Sequence, residues 1–384
     1  MTEASKHVLR TDHPYYLYES IINTPEALED CLRGSVRAQI ERVARELENR
    51  KVERIILSGT GSSYYAALAS GYAFSRLVGV PVQVGVTSEY GAYPPLHIGK
   101  RDAWLFISHS GGTVGDEPVV QMAKKNGALT IGVTDVEDSR LAGLVDEVLL
   151  GPGGPKPELP ATRTYSAAVF RMMLLAASAG IGESSGKESS EFLEAAHRLP
   201  EQLKQVITAT EETIQKLVET FFSCRYFVFL GSGPNIATAH EGALGFSQSL
   251  EAQAQGFILE EWLHGPIQTV TDDMGVVVLA PQSPRQDRML QVIKAVRILG
   301  ARSLVIGSEG THGLEAADTA IHLPQTPDLL SPLLAISPLW QIGYRFALRS
   351  GKNPDRLSMD QPEFQNAMDV LMGSDKKFTG QRDL

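Results

Sequence analysis

The chain has little cysteine and lacks the apolar segments of secreted and membrane-spanning proteins. Only Cys31 and Cys224 occur among 384 residues, and neither belongs to a CxxC pair. Two isolated thiols in a chain of this length are typical of a reducing compartment. The first residues lack the apolar core of a signal peptide, and the apolar stretch 167–180 contains Arg171 and is too short to cross a bilayer. We therefore expect a cytoplasmic protein with no membrane contact.

Runs of positive charge are also missing. The 35 lysines and arginines are outnumbered by 45 aspartates and glutamates, the formal net charge is −10, and no basic run exceeds two residues. Such a surface repels phosphate backbones, so we expect no nucleic-acid partner. The nine histidines show no HxxxH, HxH or Cys/His spacing. The pattern therefore predicts no metal site.

The chain does contain a pattern that occurs twice. Two strand ends match at an offset of 172 residues (231 − 59), namely Ser58-Gly59-Thr60-Gly61 and Leu230-Gly231-Ser232-Gly233. The same offset aligns the apolar run 103–108 with the run 275–280. Continuous apolar strands that alternate with helices indicate parallel sheets covered on both faces. We therefore predict an α/β protein with two tandem, doubly wound parallel-sheet domains related by internal duplication.

Changes in composition predict where these domains begin and end. We predict an N-terminal arm and helix over 1–34, a first domain over 35–185, a second domain over 200–349 and a C-terminal tail over 350–384. The Gly/Ser-rich segment 182–186 is the predicted linker. The second domain is expected to open with a helix at Glu201.

A glycine- and hydroxyl-rich turn follows the strand predicted over 103–108. In Ser108-His109-Ser110-Gly111-Gly112-Thr113, two glycines let the backbone approach an oxyanion, and three hydroxyls can donate hydrogen bonds. The helix that follows would add its N–H groups and the positive end of its dipole. Ligands bind beyond the carboxyl ends of parallel strands, so this turn and the neighbouring turn 59–63 predict an anion site. The alternative, that such turns only cap helices, stays open.

Two common nucleotide-binding motifs do not fit these turns. The glycines are not followed by the lysine of a P-loop, and Tyr64 stands where GxGxxG needs its third glycine. We therefore expect neither a nicotinamide nor any other cofactor.

Six motifs remain to be explained together. They are Gly61-Ser62-Ser63-Tyr64, Ser108-x-Ser110-Gly111-x-Thr113, Ala161-Thr162-Arg163-Thr164, His240-Glu241-Gly242-Ala243-Leu244, Glu261-x-x-His264-Gly265-Pro266 and Asn353-Pro354-Asp355. Over roughly residues 35–350 the chain resembles the SIS (sugar isomerase) domain family. It is most similar to members with two such domains, the isomerase half of glucosamine–fructose-6-phosphate aminotransferase and related sugar-phosphate deaminases and deglycases. The resemblance implies flavodoxin-like SIS domains.

The resemblance also implies which residues contact a sugar phosphate. They are Ser62, Ser63, Ser108, His109, Ser110, Thr113, Thr162 and Gln248. The hydroxyls of the turn 108–113 would hold the phosphate, His109 would add backbone or side-chain contacts, and Thr162 would lie near the sugar hydroxyls. Family members are usually dimers in which the His-Gly-Pro histidine completes the partner's site. We therefore expect a homodimer with shared active sites.

Sugar isomerisation needs an acid/base that opens the ring and a base that moves a proton between C1 and C2. His264 is the predicted ring opener, since imidazole titrates near neutrality, and a histidine that merely caps a turn is the alternative. In catalytic relatives a glutamate lies sixteen residues before this histidine, but position 264 − 16 is Gln248 here, and the relatives' lysine falls at Gly245. Glu241 and Glu261 are the remaining candidates for the catalytic carboxylate, and each is alternatively a structural acid.

The sequence thus predicts a sugar-phosphate isomerase or deaminase. Its substrate would be an amino- or N-substituted sugar 6-phosphate, processed through an opened ring and enediol-type proton transfer. The alternative, motivated by Gln248, is a non-catalytic sugar-phosphate-binding sensor or regulatory protein.

Overall fold

Two parallel sheets, one in each half of the chain, form the framework of the protein. The computed structural model describes residues 10–95, 97–113, 115–152, 160–179, 186–358 and 361–372. Within these ranges each sheet has five strands, all of them parallel. The predicted fold class, two tandem α/β parallel-sheet domains, is confirmed. No helix in the described ranges is long and apolar enough to cross a membrane.

The N-terminal half starts with three helices and continues into the first sheet. The helices are α1 (Tyr16–Ile22), α2 (Thr24–Cys31) and α3 (Gly34–Asn49). The strands are β1 (Arg54–Gly59), β2 (Val82–Val86), β3 (Asp102–Ile107), β4 (Leu129–Thr134) and β5 (Glu147–Leu150). The helices that follow these strands are α4 (Ser62–Leu77), α5 (Thr87–Ala92), α6 (Asp116–Lys125), α7 (Arg140–Leu144) and α8 (Arg163–Ser178).

The long helix α9 (Gly186–Phe221) leads into the second half. Its strands are β6 (Tyr226–Gly231), β7 (Gln253–Ile258), β8 (Met274–Ala280), β9 (Arg302–Ser308) and β10 (Thr319–Leu323). Its helices are α10 (Asn235–Leu250), α11 (Leu259–Leu263), α12 (Gln286–Ile298), α13 (Ser331–Arg349) and α14 (Pro362–Met372). Three short 3₁₀ turns lie at Pro266–Thr269, Leu314–Ala316 and Asp328–Leu330.

The two sheets have the same strand order. The first is β2-β1-β3-β4-β5, and the second, read in the same direction, is β7-β6-β8-β9-β10. The offset found in the sequence recurs in the strands, since β1 and β6 start at residues 54 and 226, which are 172 apart. In this order the connection that follows β1 leads to β2 on one side, whereas the next connection crosses to β3 on the other side of β1. The carboxyl ends of β1 and β3 therefore flank the crevice where such folds bind ligands.

Side chains of each strand pack alternately on the two faces of its sheet. Ile55 and Leu57 of β1 belong to the largest core cluster, whereas Ile56 packs with Trp104 and Phe106 in a separate cluster on the opposite face. Because both faces are covered by helices, the strand is apolar throughout instead of alternating with polar residues.

The largest core cluster continues from one half of the chain into the other. Helix α10 packs against α4 of the first half and against α13 of its own half. Residues of all three helices belong to the same buried cluster. This packing places the N-terminal end of α4, which follows β1, beside the second half of the chain.

Strand β7, helix α9 and helix α14 are among the elements that differ from the sequence predictions. Strand β7 was not predicted because it is an edge strand with exposed Gln253 and Gln255 and lacks a continuous apolar run. Helix α9 begins at Gly186 instead of Glu201 and continues through Pro200. Its buried residues recur on one face before and after that proline, so packing outweighs the lost backbone hydrogen bond. The predicted tail contains α14.

The predicted domain boundaries stay predictions. The interior of the predicted linker, 182–185, lies outside the described residues, and Gly186 already belongs to α9.

Gly256 allows β7 to approach α10 closely. A Cβ at this position would lie 2.6 Å from both the Cα and the N of His240, which are backbone atoms of the helix. We expect Gly256→Ala to lower the free energy of unfolding by about 1–3 kcal/mol, measured by urea denaturation. Gly143→Ala in α7 is the matched control, because nothing lies within 4 Å of the added carbon. Equal losses in both variants would contradict the close-contact explanation.

Candidate active site

The turn after β3 is held in shape by its own hydrogen bonds. The Gly111 N–H donates to the Ser108 carbonyl at 3.0 Å, and the hydroxyls of Ser108 and Thr113 are 2.7 Å apart. Gly111 has a φ of +60°, and a Cβ there would lie 2.2 Å from Ser139 Oγ. Only glycine satisfies both constraints. The result is a compact loop in which the hydroxyls of Ser108, Ser110 and Thr113 lie close together, the kind of groups that can donate hydrogen bonds to an oxyanion.

Helix α6 begins just beyond this turn. Gly115, in the left-handed region, precedes its first residue, Asp116. The Asp116 carboxyl is buried, and this burial raises its pKa to about 7. Near neutral pH it therefore carries only part of a negative charge. An anion in the turn would approach the N-terminal end of α6 without facing a fully ionised carboxylate.

A small cleft, with a cavity volume of about 30 Å³, lies where β1 and β3 end, beside helix α8. Its floor is apolar, and its polar lining residues come from α4, from the ends of β3 and β4, and from α8. They are Ser62, Ser63, His109, Asp135, Thr164, Tyr165 and Arg171. The cleft therefore coincides with the crevice that the strand order predicts.

One wall of the cleft contains a histidine, an aspartate and an arginine in contact. His109 Nδ1 lies 2.7 Å from Asp135 Oδ2, and an Arg171 NH group lies 2.7 Å from Asp135 Oδ1. Burial alone would raise the pKa of the Asp135 carboxyl. The charge of Arg171 and the hydrogen bond with His109 nevertheless hold that pKa below its ordinary value. Asp135 is therefore an ionised carboxylate that orients the imidazole ring.

Helix α10 of the second half brings a buried carboxyl group into contact with Ser62, one of the residues that line the cleft. Glu241 is 1% exposed, and its Oε1 accepts a hydrogen bond of 3.0 Å from the Ser62 hydroxyl. Its Oε2 is buried and has no hydrogen-bond partner among the described residues. Burial raises the pKa of Glu241 well above its ordinary value, and the bond from Ser62 offsets only part of this effect. The side chain therefore favours its protonated form, the state of a proton donor.

Tyr165, which lines the cleft, contacts Trp340 of helix α13. Their rings meet edge to face with centroids 5.9 Å apart, and burial raises the pKa of Tyr165 well above its ordinary value. Trp340 also covers Gly245 of α10, where a Cβ would lie 3.4 Å from the indole Cδ1. The indole thus occupies the space beside the position at which the resemblance expects a lysine.

Comparison with known proteins identifies the family of this chain. Residues 48–178 match the SIS domain. A glutamine–fructose-6-phosphate aminotransferase of Thermus thermophilus is 30% identical over 352 residues, which cover 89% of this chain and 57% of that enzyme. Residues 48–178 of the chain therefore form an SIS domain. The chain is homologous to the isomerase half of these aminotransferases and spans little more than half the length of the curated relatives it matches.

Solved structures share the complete two-domain SIS fold. The C-terminal domain of glucosamine–fructose-6-phosphate aminotransferase from Francisella tularensis has a TM-score of 0.79 at 20% identity, over 89% of this chain and 98% of that chain. Glucosamine-6-phosphate deaminase from Thermotoga maritima has a TM-score of 0.73 at 22% identity, over 89% of this chain and 97% of that chain. At these identities the likeness concerns the fold.

The first SIS domain brings several of the predicted contact residues together. Ser62, Ser63 and His109 line the cleft. The other predicted turn residues, Ser108, Ser110 and Thr113, lie in the adjoining turn. Thr162 is fully buried immediately before α8, and Thr164, two residues later, lines the cleft. The roles of these residues in binding a ligand stay predictions.

The predicted residues on the second SIS domain do not all reach this cleft. Glu261 and His264 are exposed on and after the short helix α11. Gln248 is half-buried on α10, two turns beyond Glu241. Among the described residues, no hydrogen bond or ion pair joins these three side chains to the cleft of their own chain. Of the candidate carboxylates, Glu241 is the one that contacts a cleft residue.

Sequence reasoning did not identify Asp135, Arg171 or Tyr165 as site residues. Asp135 directly follows β4, at the same edge of the sheet as the turn 108–113. Arg171 is a charged residue within an otherwise apolar helix, which is a signal for a buried ion pair. Neither signal shows that Asp135 and Arg171 contact each other, because that contact depends on how α8 crosses the ends of the strands.

The burial of Glu241 predicts a pH-dependent stability change. Its pKa is higher in the folded chain than in the unfolded chain, so ionisation costs stability as pH rises above about 4.5. A glutamine side chain does not ionise and therefore has no such cost. We expect Glu241→Gln to unfold at a higher temperature than the wild type at neutral pH, with a difference that shrinks as the solution is acidified. Glu261→Gln, at an exposed position, is the control and should show no such trend. A difference in unfolding temperature that does not change with pH would contradict a raised pKa for Glu241.

Proposed function

We propose that this SIS-domain protein is a phosphosugar isomerase or an aminosugar-phosphate deaminase. The contact between Ser62 and Glu241 carries the proposal, because it brings a buried carboxyl with a raised pKa to a cleft beside a hydroxyl-rich turn. A phosphate held in the turn 108–113 would position the rest of the sugar along the cleft. Acid–base catalysis on a sugar carbonyl needs such a group within hydrogen-bonding reach of the substrate.

In this mechanism Glu241 acts first as an acid. Gln248 occupies the position where a glutamate base is expected, and an amide does not accept a proton at neutral pH. The protonated Glu241 carboxyl instead donates its proton to the carbonyl oxygen of the opened sugar. The carboxylate that remains accepts the proton that leaves the neighbouring carbon, so that the C–H bond breaks, the enediol forms and the carboxyl is protonated again.

In the proposed enzyme, His264 acts in the site of a second copy of the chain. The histidine is exposed and directly follows α11, the short helix after β7. Its exposure leaves it accessible to another subunit, as the resemblance to dimeric SIS proteins implies. A homodimer would then combine Glu241 of one subunit with His264 of the other. Glu261, one helical turn before His264, would orient or neutralise that imidazole.

The proposed substrate is a sugar 6-phosphate that bears an amino or N-linked group. Support comes from the names of the relatives, which include glutamine–fructose-6-phosphate aminotransferases and a glucosamine-6-phosphate deaminase. An ammonium group on the substrate would stabilise the carboxylate that Glu241 becomes after it has donated its proton.

The first test follows proton exchange directly. With glucosamine 6-phosphate or fructose 6-phosphate in D₂O, we expect deuterium to enter the sugar at C1 or C2, with ketose or ammonia appearing, detected by ¹H NMR. Glu241→Gln should slow the exchange by about 100-fold or more, the usual contribution of a general acid or base. Glu48→Gln, on the exposed surface of α3, is the control and should exchange at the wild-type rate.

Two results of that experiment would contradict the proposal. Broadened ³¹P signals without deuterium exchange in a wider panel of sugar phosphates would favour a non-catalytic sugar-phosphate-binding protein. Full exchange by Glu241→Gln would remove this carboxyl from the mechanism while leaving an enzyme.

The turn 108–113 is tested by ligand affinity. Ser110→Ala should weaken the binding of a sugar phosphate, because one charge-assisted hydrogen bond contributes about 1.5–3 kcal/mol, or roughly tenfold or more in Kd. Isothermal titration calorimetry measures this change. Ser283→Ala, in the corresponding turn of the second SIS domain, is the matched control and should leave Kd unchanged. Equal affinities for the wild type and Ser110→Ala would exclude this hydroxyl as a phosphate ligand.

A further inference from the structure

Three buried polar atoms on three different helices have no hydrogen-bond partner among the described residues. They are the Tyr165 hydroxyl of α8, Oε2 of Glu241 on α10 and the indole Nε1 of Trp340 on α13. All three residues are at most 4% exposed. A buried polar group without a hydrogen bond costs stability, so each one calls for an explanation.

Contacts join these three side chains into one buried cluster. The rings of Tyr165 and Trp340 meet edge to face with centroids 5.9 Å apart. The indole of Trp340 also lies against Gly245, which is one helical turn beyond Glu241 on the same face of α10. The charge of Glu241 adds to burial in raising the pKa of Tyr165, which places the phenol within electrostatic reach of the carboxyl.

Tyr165 connects this cluster with the cleft, because it is one of the residues that line the cleft. Ser62 is another lining residue, and its hydroxyl donates the hydrogen bond of 3.0 Å to Glu241 Oε1. Helix α4, which carries Ser62, packs against both α8 and α10. A ligand that enters the cleft therefore contacts Tyr165 and comes within one side chain of Glu241.

The phenol of Tyr165 is suited to donating a hydrogen bond but not to transferring a proton. Burial, and after it the charge of Glu241, raises the pKa of Tyr165 well above its ordinary value, so the hydroxyl keeps its proton at neutral pH. Formation of an enediol increases the negative charge on the carbonyl oxygen of the sugar. A fixed donor in a site shielded from water stabilises such a charge strongly, because it needs no reorganisation when the charge develops.

We propose that Tyr165 is a further catalytic residue of this cleft, and that its hydroxyl donates a hydrogen bond to the sugar oxygen that gains charge as the enediol forms. The inference rests on the proposed function and adds a residue to it. In this step Glu241 gives its proton to the carbonyl oxygen and takes the proton of the neighbouring C–H bond, whose electron pair forms the C=C bond. Tyr165 keeps its own proton. The bound sugar thus supplies the acceptor that no described residue provides.

Thermal unfolding of the free, full-length protein tests whether the hydroxyl is unpaired. Tyr165→Phe removes only this hydroxyl. The matched control is Tyr344→Phe on α13, since Tyr344 is equally buried but its hydroxyl lies 2.7 Å from His13 Nδ1. We expect Tyr165→Phe to unfold at the same or a higher temperature than the wild type, and Tyr344→Phe at a lower one. If both variants lose stability alike, the Tyr165 hydroxyl is already hydrogen-bonded and the proposal is wrong.

Turnover of glucosamine 6-phosphate or fructose 6-phosphate, followed as deuterium exchange in D₂O, is the second measurement. We expect Tyr165→Phe to lower kcat by about 100-fold, as the loss of one oxyanion donor does, with little change in KM. The pH profile of kcat should keep its shape, because the phenol transfers no proton. Tyr344→Phe should turn over at the wild-type rate.

The outcomes separate this inference from the proposed function. An active wild type with an unchanged kcat in Tyr165→Phe, or with a change in KM alone, would reject Tyr165 as a catalytic residue and leave the proposed enzyme intact. An altered shape of the pH profile would show that the phenol transfers a proton, and would overturn its role as a hydrogen-bond donor. A wild type that turns over no sugar phosphate in a wider panel would reject the proposed enzyme and this inference with it.

Discussion

The packing of helix α4 against helix α10 is the constraint on which the candidate site depends. Helix α4 follows the first strand of the first sheet, and α10 follows the corresponding strand of the second sheet. Their contact places the Ser62 hydroxyl on the Glu241 carboxyl. The two sheets share a strand order but contribute different groups: the hydroxyl-rich turn 108–113 follows a strand of the first sheet, and Glu241 lies on a helix of the second half.

The buried polar groups of this cleft are stabilised in opposite ways. Asp135 stays ionised because Arg171 and His109 compensate for its lost hydration, whereas Glu241 has a single hydroxyl donor and favours its neutral form. Two carboxyl groups near one cleft therefore differ in protonation because their partners differ. Such a separation is the arrangement that acid–base catalysis requires, and it is absent from a site lined by equally solvated acids.

Local patterns predicted most of the fold and part of the site. Most strands of the two sheets are short apolar runs, and the glycines and hydroxyls of the turn 108–113 lie together in the sequence, so both were visible without coordinates. Strand β7 was missed because its first residues, Gln253-Ala254-Gln255, do not form an apolar run. The contact between Asp135 and Arg171 was missed for another reason: 36 residues separate them, and only the crossing of two distant elements brings them together.

The position of Trp340 links it to a glycine of helix α10. Its indole covers Gly245, and even a single carbon atom added to that glycine would touch the ring. A longer side chain at position 245 would therefore have to pass a buried tryptophan. The residue that fits at 245 thus depends on the residue at 340, so substitutions at the two positions are expected to be non-additive.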